Sequence, residues 1–382
     1  GIYNDDVYLT NVYIQGFPLF DTERVEVLRG PQGTLWGKNT TGGAIHYVSK
    51  LPTFSRQGYA KVGLGSFNER QVQGAVGGEL VADRLAARVS FFDESRDGWV
   101  FNSATGAKDG AVSDQATRVQ LLWAVNNDIE AVFSARARRL DGDKSPSFYV
   151  LDSQQTVRNP IYRGPLKGRE EIAQAGDFGE DLTSDGVSAR VSWSLPGGYE
   201  FTSITAHDTG RRVLLTGSPI AVDISRSRAL ADSRQTTQEF RVASPREGRV
   251  DWIVGAYFFD ESLFSNSVAR GVRGAGGAGT NTTGDSPQSF DITEFNQDTD
   301  SQAAFASVNW RLNDAFSLTL GGRYSVERKA FALDFTAAPS TFGFTGLSQW
   351  WLPGAVSALN PTRSSSDSAT WREFTYDITP QW

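Results

Sequence analysis

The chain has 382 residues, a formal net charge of −7, 39 glycines, two histidines, and neither cysteine nor methionine. Without cysteine there is no disulfide framework and no thiolate metal site, and net acidity argues against a nucleic-acid partner, which selects a basic stripe. No apolar run reaches the roughly 18 residues of a membrane-spanning helix, which leaves open a closed barrel, whose alternating strands give a weak local signal.

The sequence opens at Gly1 with no charged n-region, apolar h-region or cleavage site, so its start reads as mature, truncated or incompletely read. Residues 23–50 read ERVEVLRGPQGTLWGKNTTGGAIHYVSK. A short strand is predicted over 24–28, ending where Arg29-Gly30-Pro31 must turn. Gly33, Gly37, Gly42 and Gly43 then supply positions that tolerate left-handed backbone or close approach, and a second strand is predicted over 44–49. A phosphate-binding loop is excluded. That pattern needs a glycine where Gln32 stands, and Ser or Thr where Asn39 follows Lys38.

The run Val25-Glu26-Val27-Leu28-Arg29-Gly30-Pro31, with Gly33, Leu35, Gly37, Asn39-Thr40-Thr41-Gly42-Gly43-Ala44-Ile45 and Val48-Ser49-Lys50, strongly resembles the C-terminal half of the plug domain of TonB-dependent outer-membrane receptors. Arg96-Asp97-Gly98-Trp99 and Gln238-Glu239-Phe240-Arg241 are weaker likenesses. His46 stands where the family usually has Asn, and Trp36 where it often has Tyr or Phe; both are expected to be plug packing. In the family the barrel begins just after the lysine matched by Lys50. The resemblance therefore implies two parts, 1–52 as the C-terminal part of a plug and 53–382 as the N-terminal part of a transmembrane barrel.

Beyond residue 57 the apolar residues recur with period two, so each segment has one apolar and one polar side. Val187, Ala189, Val191, Trp193 and Leu195 form one such row, Val250, Trp252, Val254, Ala256 and Phe258 a second, and Phe316, Leu318, Leu320, Tyr324 and Val326 a third. Short turns near 81–83, 126–128, 196–198, 245–248 and 313–314 alternate with long connections over 97–113, 141–185, 211–233, 261–300 and 330–368. Long structureless loops count against a compact soluble domain, whereas tight periplasmic turns and long outer loops are the habit of outer-membrane barrels. Trp123, Trp193, Tyr199, Trp252, Trp310 and Phe316 flank the short turns, as an interfacial aromatic girdle does. The glycine-rich stretch 271–284 falls inside a long connection, and 377–382 reads as a periplasmic turn. The fold class is all-β, an antiparallel transmembrane β-barrel with an N-terminal plug in its lumen. About 12 strands are expected here against about 22 in the family, a barrel wide enough to hold a plug.

What the resemblance implies is energised transport across the outer membrane of a Gram-negative bacterium. A scarce, bulky solute, a ferric siderophore first, is drawn in when TonB and its inner-membrane energising complex pull the plug. Outer-membrane lipid and lipopolysaccharide surround the barrel. No cofactor and no enzyme activity are expected. His46 and His207 alone offer little material for a histidine triad or a zinc site. Period-two phasing puts Arg88, Arg190, Glu239, Arg241, Arg323 and Glu327 on the inward face, since a basic residue at mid-membrane on the lipid face costs about 2–4 kcal/mol. A latch between plug Arg29 and wall Glu239 is expected, with solvated lumen charge as the alternative. Phe148, Tyr149, Phe342, Phe344, Trp350 and Trp351 are candidate ligand contacts in the loops. Cobalamin or oligosaccharide uptake, a passive porin and a structural or signalling protein are the rival functions.

Overall fold

A computed structural model describes residues 1–11, 17–30, 32–142, 171, 172, 174, 178–217, 225–272, 288–339 and 363–382. In chain order the strands are β1 (Ile2–Asn4), β2 (Val7–Tyr8), β3 (Thr22–Arg29), β4 (Gly43–Ser49), β5 (Gln57–Leu64), β6 (Arg70–Val81), β7 (Leu85–Arg96), β8 (Val100–Asn102), β9 (Lys108–Asp109), β10 (Val112–Ala124), β11 (Ile129–Gly142), β12 (Glu171–Ile172), β13 (Gly179–Leu195), β14 (Tyr199–Thr216), β15 (Ser225–Ala243), β16 (Val250–Val272), β17 (Gln288–Asn313), β18 (Phe316–Pro339) and β19 (Arg363–Gln381). They make a plug sheet in the order β2-β1-β4-β3, a small sheet β12-β8-β9, and a twelve-stranded wall in which the remaining strands pair in sequence order. Every wall pairing is antiparallel.

The wall bends round the plug. Asp21 of the plug reaches Arg88 on β7, and Thr34 reaches Asp377 on β19, near the other end of the sheet. Period two decides which side chains meet the plug. Val187, Trp193, Val254, Phe258, Trp310, Leu320 and Tyr324 are exposed on the outer face, while Tyr257, Phe259, Phe305 and Arg323 are buried inside. Trp123, Trp193 and Tyr199 beside the short turns are also exposed, and the Tyr199 and Trp252 rings lie 6.0 Å apart on neighbouring strands. A soluble core would have buried them.

On β13 to β18 the outward positions nearest the short turns carry no charge for about ten residues, the height of a bilayer's apolar band. Charge then begins at Asp185, Arg211, Arg234, Asp260, Asp300 and Arg328, and the last three are cross-strand partners in one row.

The strands run further than the connections read from sequence allow. β14 continues to Thr216, β16 to Val272 and β18 to Pro339. At about 3.3 Å per residue the 26 residues of β17 far exceed any membrane thickness. Outside lipid both faces of a strand meet water, so hydropathy alternation fades while backbone pairing persists. Residues 97–113 likewise hold β8 and β9, which β12 joins. Asn102 ties that small sheet together: its amide donates to Asp109 Oδ2 and Gln174 O, and its carbonyl accepts from the Ala104 and Gln174 amides. Residues 377–381, read as a turn, continue β19. Its Pro380 is tolerated because, among the described residues, β19 pairs on one side only.

Candidate functional site

The site is the seam between plug and wall. At its start β1 and β2 form a two-residue hairpin, with Asp5 and Asp6 at φ 49° and 68°, the left-handed geometry of a type I′ turn. Asp5 Oδ1 accepts from the Ser49 amide at 2.7 Å, which locks the turn to β4. Asp6 Oδ2 accepts from Arg190 of β13 at 2.8 Å. His46 sits behind this turn. Its Nε2 accepts from the Asp6 amide at 3.1 Å, so the ring proton belongs on Nδ1, 3.1 Å from Glu26 Oε2. The hydrogen bond from Arg24, then the one from His46, holds the Glu26 carboxyl below its ordinary range. The Trp36 ring meets His46 edge-on at 5.0 Å, and the Tyr3 hydroxyl donates to Trp36 O. His46 and Trp36 are packing residues of the plug interior.

Three apolar clusters hold the plug against the wall. Tyr3, Tyr8 and Ala44 pack on Tyr257, Phe259, Ala303 and Phe305; Val7 and Leu9 pack on Ile204 and Ala206; Phe20 packs on Phe92 and Ala116. Polar clamps frame them. Around the corner at Phe20 and Asp21, Arg88 takes both Asp21 oxygens, at 2.7 and 2.5 Å. Arg118 donates to Phe20 O at 2.7 Å, to Asp21 O at 3.2 Å and to Ser49 Oγ. Along β2, the Gln235 amide donates to Tyr8 O at 2.6 Å and accepts from the Thr10 amide at 3.1 Å. This side chain supplies the hydrogen bonds a neighbouring strand would.

The third clamp is the loop 32–42. Lys38 lies 2.7 Å from Glu327 and 4.1 Å over the Phe259 ring, and Thr34 donates to Asp377. Burial pulls the Lys38 ammonium below the ordinary lysine value, against the opposing pull of Glu327. Gly37 has φ +80°, and a Cβ there would come within 2.9 Å of Arg323 Nη2. At Gly43, with φ +139°, a Cβ would lie 2.3 Å from Leu28 O. Among the other motif glycines Gly30 also has positive φ, while Gly33 and Gly42 do not.

The structure places the inward residues Arg88, Arg190, Arg323 and Glu327 against the plug, but it does not join Arg29 to Glu239. Glu239 accepts from Arg241 on its own strand, and among the described residues no ion pair links Arg29 to the wall. The plug partners in the seam are Asp6, Asp21 and Lys38 instead. Both aspartates occupy left-handed turn positions, with φ 68° at Asp6 and 49° at Asp21. Pro31, Phe148, Tyr149, Phe342, Phe344, Trp350 and Trp351 lie outside the described residues. Among the described residues no group of three or more His, Asp or Glu could hold a metal ion.

A folded plug inside an antiparallel wall whose outer face is apolar defines a plugged outer-membrane β-barrel. Residues 1–44 match the TonB-dependent Receptor Plug Domain, and the chain as a whole is similar to TonB-dependent receptors of the Gram-negative outer membrane. It is 34% identical over 116 residues to a pesticin receptor of Yersinia pestis, a match covering 28% of this chain and 17% of that protein. It is 34% identical over 100 residues to a ferrioxamine B receptor of Salmonella typhimurium, covering 22% of this chain and 14% of that one. The fold is similar to the ferric yersiniabactin uptake receptor of Yersinia pestis, with a TM-score of 0.76 at 20% identity, over 99% of this chain and 52% of that one. The chain thus spans about half the length of that solved receptor.

Proposed function

We propose that the protein takes up a scarce, bulky solute across the outer membrane, a ferric siderophore first, using energy delivered through TonB and its inner-membrane complex. The observation that carries this reading is a folded plug tied to the wall by shielded ion pairs, Asp21–Arg88 and Lys38–Glu327. A passive pore has no use for such an obstruction. An energised transporter needs a stopper that holds against diffusion yet yields to pulling, and pairs of this kind separate without breaking a covalent bond. Residues 1–52 act as plug and 53–382 as barrel wall. Among the described residues the outer edges of β5 and β19 pair with no strand, and in lipid an unpaired backbone group costs several kcal/mol. Lipopolysaccharide and outer-leaflet lipid are the surrounding partners. The relatives named for ferrioxamine B and ferric yersiniabactin favour an iron chelate; a vitamin B12 transporter of Vibrio vulnificus, 30% identical over 120 residues, keeps cobalamin as the second substrate.

The test has two arms. In liposomes the protein should admit no small sugars, and rapid swelling would show a passive pore. In cells, its expression should rise under iron limitation, and uptake of radiolabelled ferric chelate should vanish when TonB is deleted. Uptake indifferent to TonB overturns the energised reading, and expression indifferent to iron moves the substrate to cobalamin or an oligosaccharide.

A further inference from the structure

The three apolar clusters that seat the plug rest on β7 and β10, on β14, and on β16 and β17. Among the described residues β11 and β13, which lie between the first two, contribute to none of them. A hollow of about 480 Å³ occupies that gap. Asp6, Glu26 and His46 line it from the plug, and Ser134, Ser188 and Ser192 from the wall. Gln120 lines it too, with a buried side-chain oxygen that meets no partner among the described residues. The hollow runs down to Glu130 and Ser192 beside the short turns, and so faces the periplasm.

Outward, the hollow ends at a bridge within the wall. Arg136 of β11 donates to Asp208 of β14 at 2.5 Å, passing over Gly186 of β13, the residue between them in the same row. A Cβ on Gly186 would lie 2.2 Å from Asp208 Oδ1 and 3.0 Å from Arg136 Nε, so the bridge uses the missing side chain. The plug meets it through the Phe17 ring, 6.0 Å from the guanidinium. Further in, Asp6–Arg190 joins plug to wall, and the Arg190 side chain is 46% exposed. An ion pair open to water in this way holds little. The second hollow, about 700 Å³ between the loop 32–42 and β17–β19, is tied more firmly: Lys38–Glu327 crosses its outer end, and Thr34–Asp377 crosses further in.

We infer that the solute leaves for the periplasm along β11 and β13, through this hollow; this rests on the uptake reading. The opening requires Phe17 to leave Arg136 and Asp6 to leave Arg190, while the apolar clusters on the flanking strands stay packed. The plug then need not quit the bore. β10 and β14 stand three inter-strand spacings apart, a gap about 14 Å wide. Serine hydroxyls suit such a passage. They donate and accept hydrogen bonds in place of water and offer no apolar surface to retain the solute.

The chain has no cysteine, so single thiols report on the two hollows separately. In the full-length receptor Ser188→Cys places one in the β11–β13 hollow and Ser307→Cys one beside the loop 32–42. Uptake of radiolabelled ferrioxamine B, ferric yersiniabactin and cyanocobalamin is measured in cells before and after treatment with a bulky biotin maleimide, with the treated parent as control. Labelling Ser188→Cys should abolish TonB-dependent uptake yet leave solute binding at the cell surface intact, and the loss should grow with label size from a methylthio group to the biotin adduct. Labelling Ser307→Cys should leave uptake unchanged. Failure of the Ser188→Cys thiol to react, uptake unimpaired by its bulky label, or an equal block at Ser307→Cys overturns the route and leaves the uptake reading standing. Uptake of none of the three solutes by the untreated parent overturns that reading, and the route with it.

Discussion

Arg88 of β7 holds Asp21 of the plug through two hydrogen bonds, Nε to Oδ2 at 2.7 Å and Nη2 to Oδ1 at 2.5 Å, with the side chains 3% and 1% exposed. Neither charge has water to fall back on if the other is removed. Arg88→Ala should therefore destabilise the seated plug by about 3–5 kcal/mol, the cost of a stranded buried charge. Removing both charges with Arg88→Met and Asp21→Leu should recover most of that loss, because the desolvation penalty disappears with the attraction. Hydrogen exchange across β3 and β4 reads the seating directly. Unchanged protection in Arg88→Ala would mean that Arg118 and the Phe20–Phe92 stack hold this corner without the pair.

Gly37 and Gly42 make a controlled comparison within one loop. Gly37 combines a left-handed φ of +80° with an Arg323 nitrogen 2.9 Å from where a Cβ would lie, whereas nothing comes within 4 Å of a Cβ at Gly42. Gly37→Ala should cost about 1–3 kcal/mol through backbone strain and displacement of Arg323. Gly42→Ala should stay within about 0.5 kcal/mol of the parent. Thermal unfolding of the two variants side by side checks the ranking, and equal melting temperatures would contradict it.

Lys38 offers a pH test. Burial lowers its pKa by more than Glu327 raises it, so the unfolded chain binds this proton more tightly than the folded one. Stability then rises with pH wherever the unfolded state holds more protons. The gain from this residue begins as pH climbs through the depressed folded value and is complete above the ordinary lysine value, near about 10.4. Lys38→Met does not titrate. The stability difference, wild type minus Lys38→Met, should accordingly increase across the alkaline range and be flat near neutrality. A difference that falls with rising pH would show that the Glu327 attraction, not burial, dominates.

The wall was legible in the sequence because lipid and lumen impose opposite demands on successive residues. Val187 beside Ser188 and Leu320 beside Gly321 carry that demand openly, and it set the phase of Arg88, Arg190, Arg323 and Glu327. What faces those residues was not legible. Asp21 meets Arg88 across 67 positions of sequence and Lys38 meets Glu327 across a greater span, pairings that follow from how a folded plug seats, not from any local pattern. Arg29 and Glu239 were the natural guess from charge alone, but Arg241, two residues along the same strand, takes Glu239 first. The β1–β2 hairpin had a readable signal, Asp5-Asp6 between Ile2-Tyr3 and Val7-Tyr8, though strands of three and two residues give hydropathy almost nothing to alternate over. Phe259 and Phe305 face inward where polar residues are expected, because the plug presents its own apolar surface, Tyr3 and Tyr8, to them.

Gln235 gives the sharpest separation between shape and charge. Its side-chain nitrogen donates to Tyr8 O at 2.6 Å and Asp208 Oδ2 at 3.2 Å, while its oxygen accepts from the Thr10 amide at 3.1 Å. The group is 1% exposed, so an amide is needed to satisfy donors and acceptors at once. Gln235→Glu keeps the shape but turns a donor into an acceptor facing Tyr8 O and the Asp208 carboxylate. Gln235→Met removes the polar atoms and leaves Tyr8 O and the Thr10 amide unpaired, at roughly 1–3 kcal/mol per stranded group. The glutamate variant should be the worse of the two at neutral pH, since it adds a buried like-charge contact, and should recover relative to the methionine variant as acid protonates the new carboxyl and restores a donor. Melting temperatures of both variants from neutral to acidic pH measure this. A glutamate variant as stable as the parent at neutral pH would mean that Arg136 already neutralises the whole cluster, and that Gln235 acts there by volume alone.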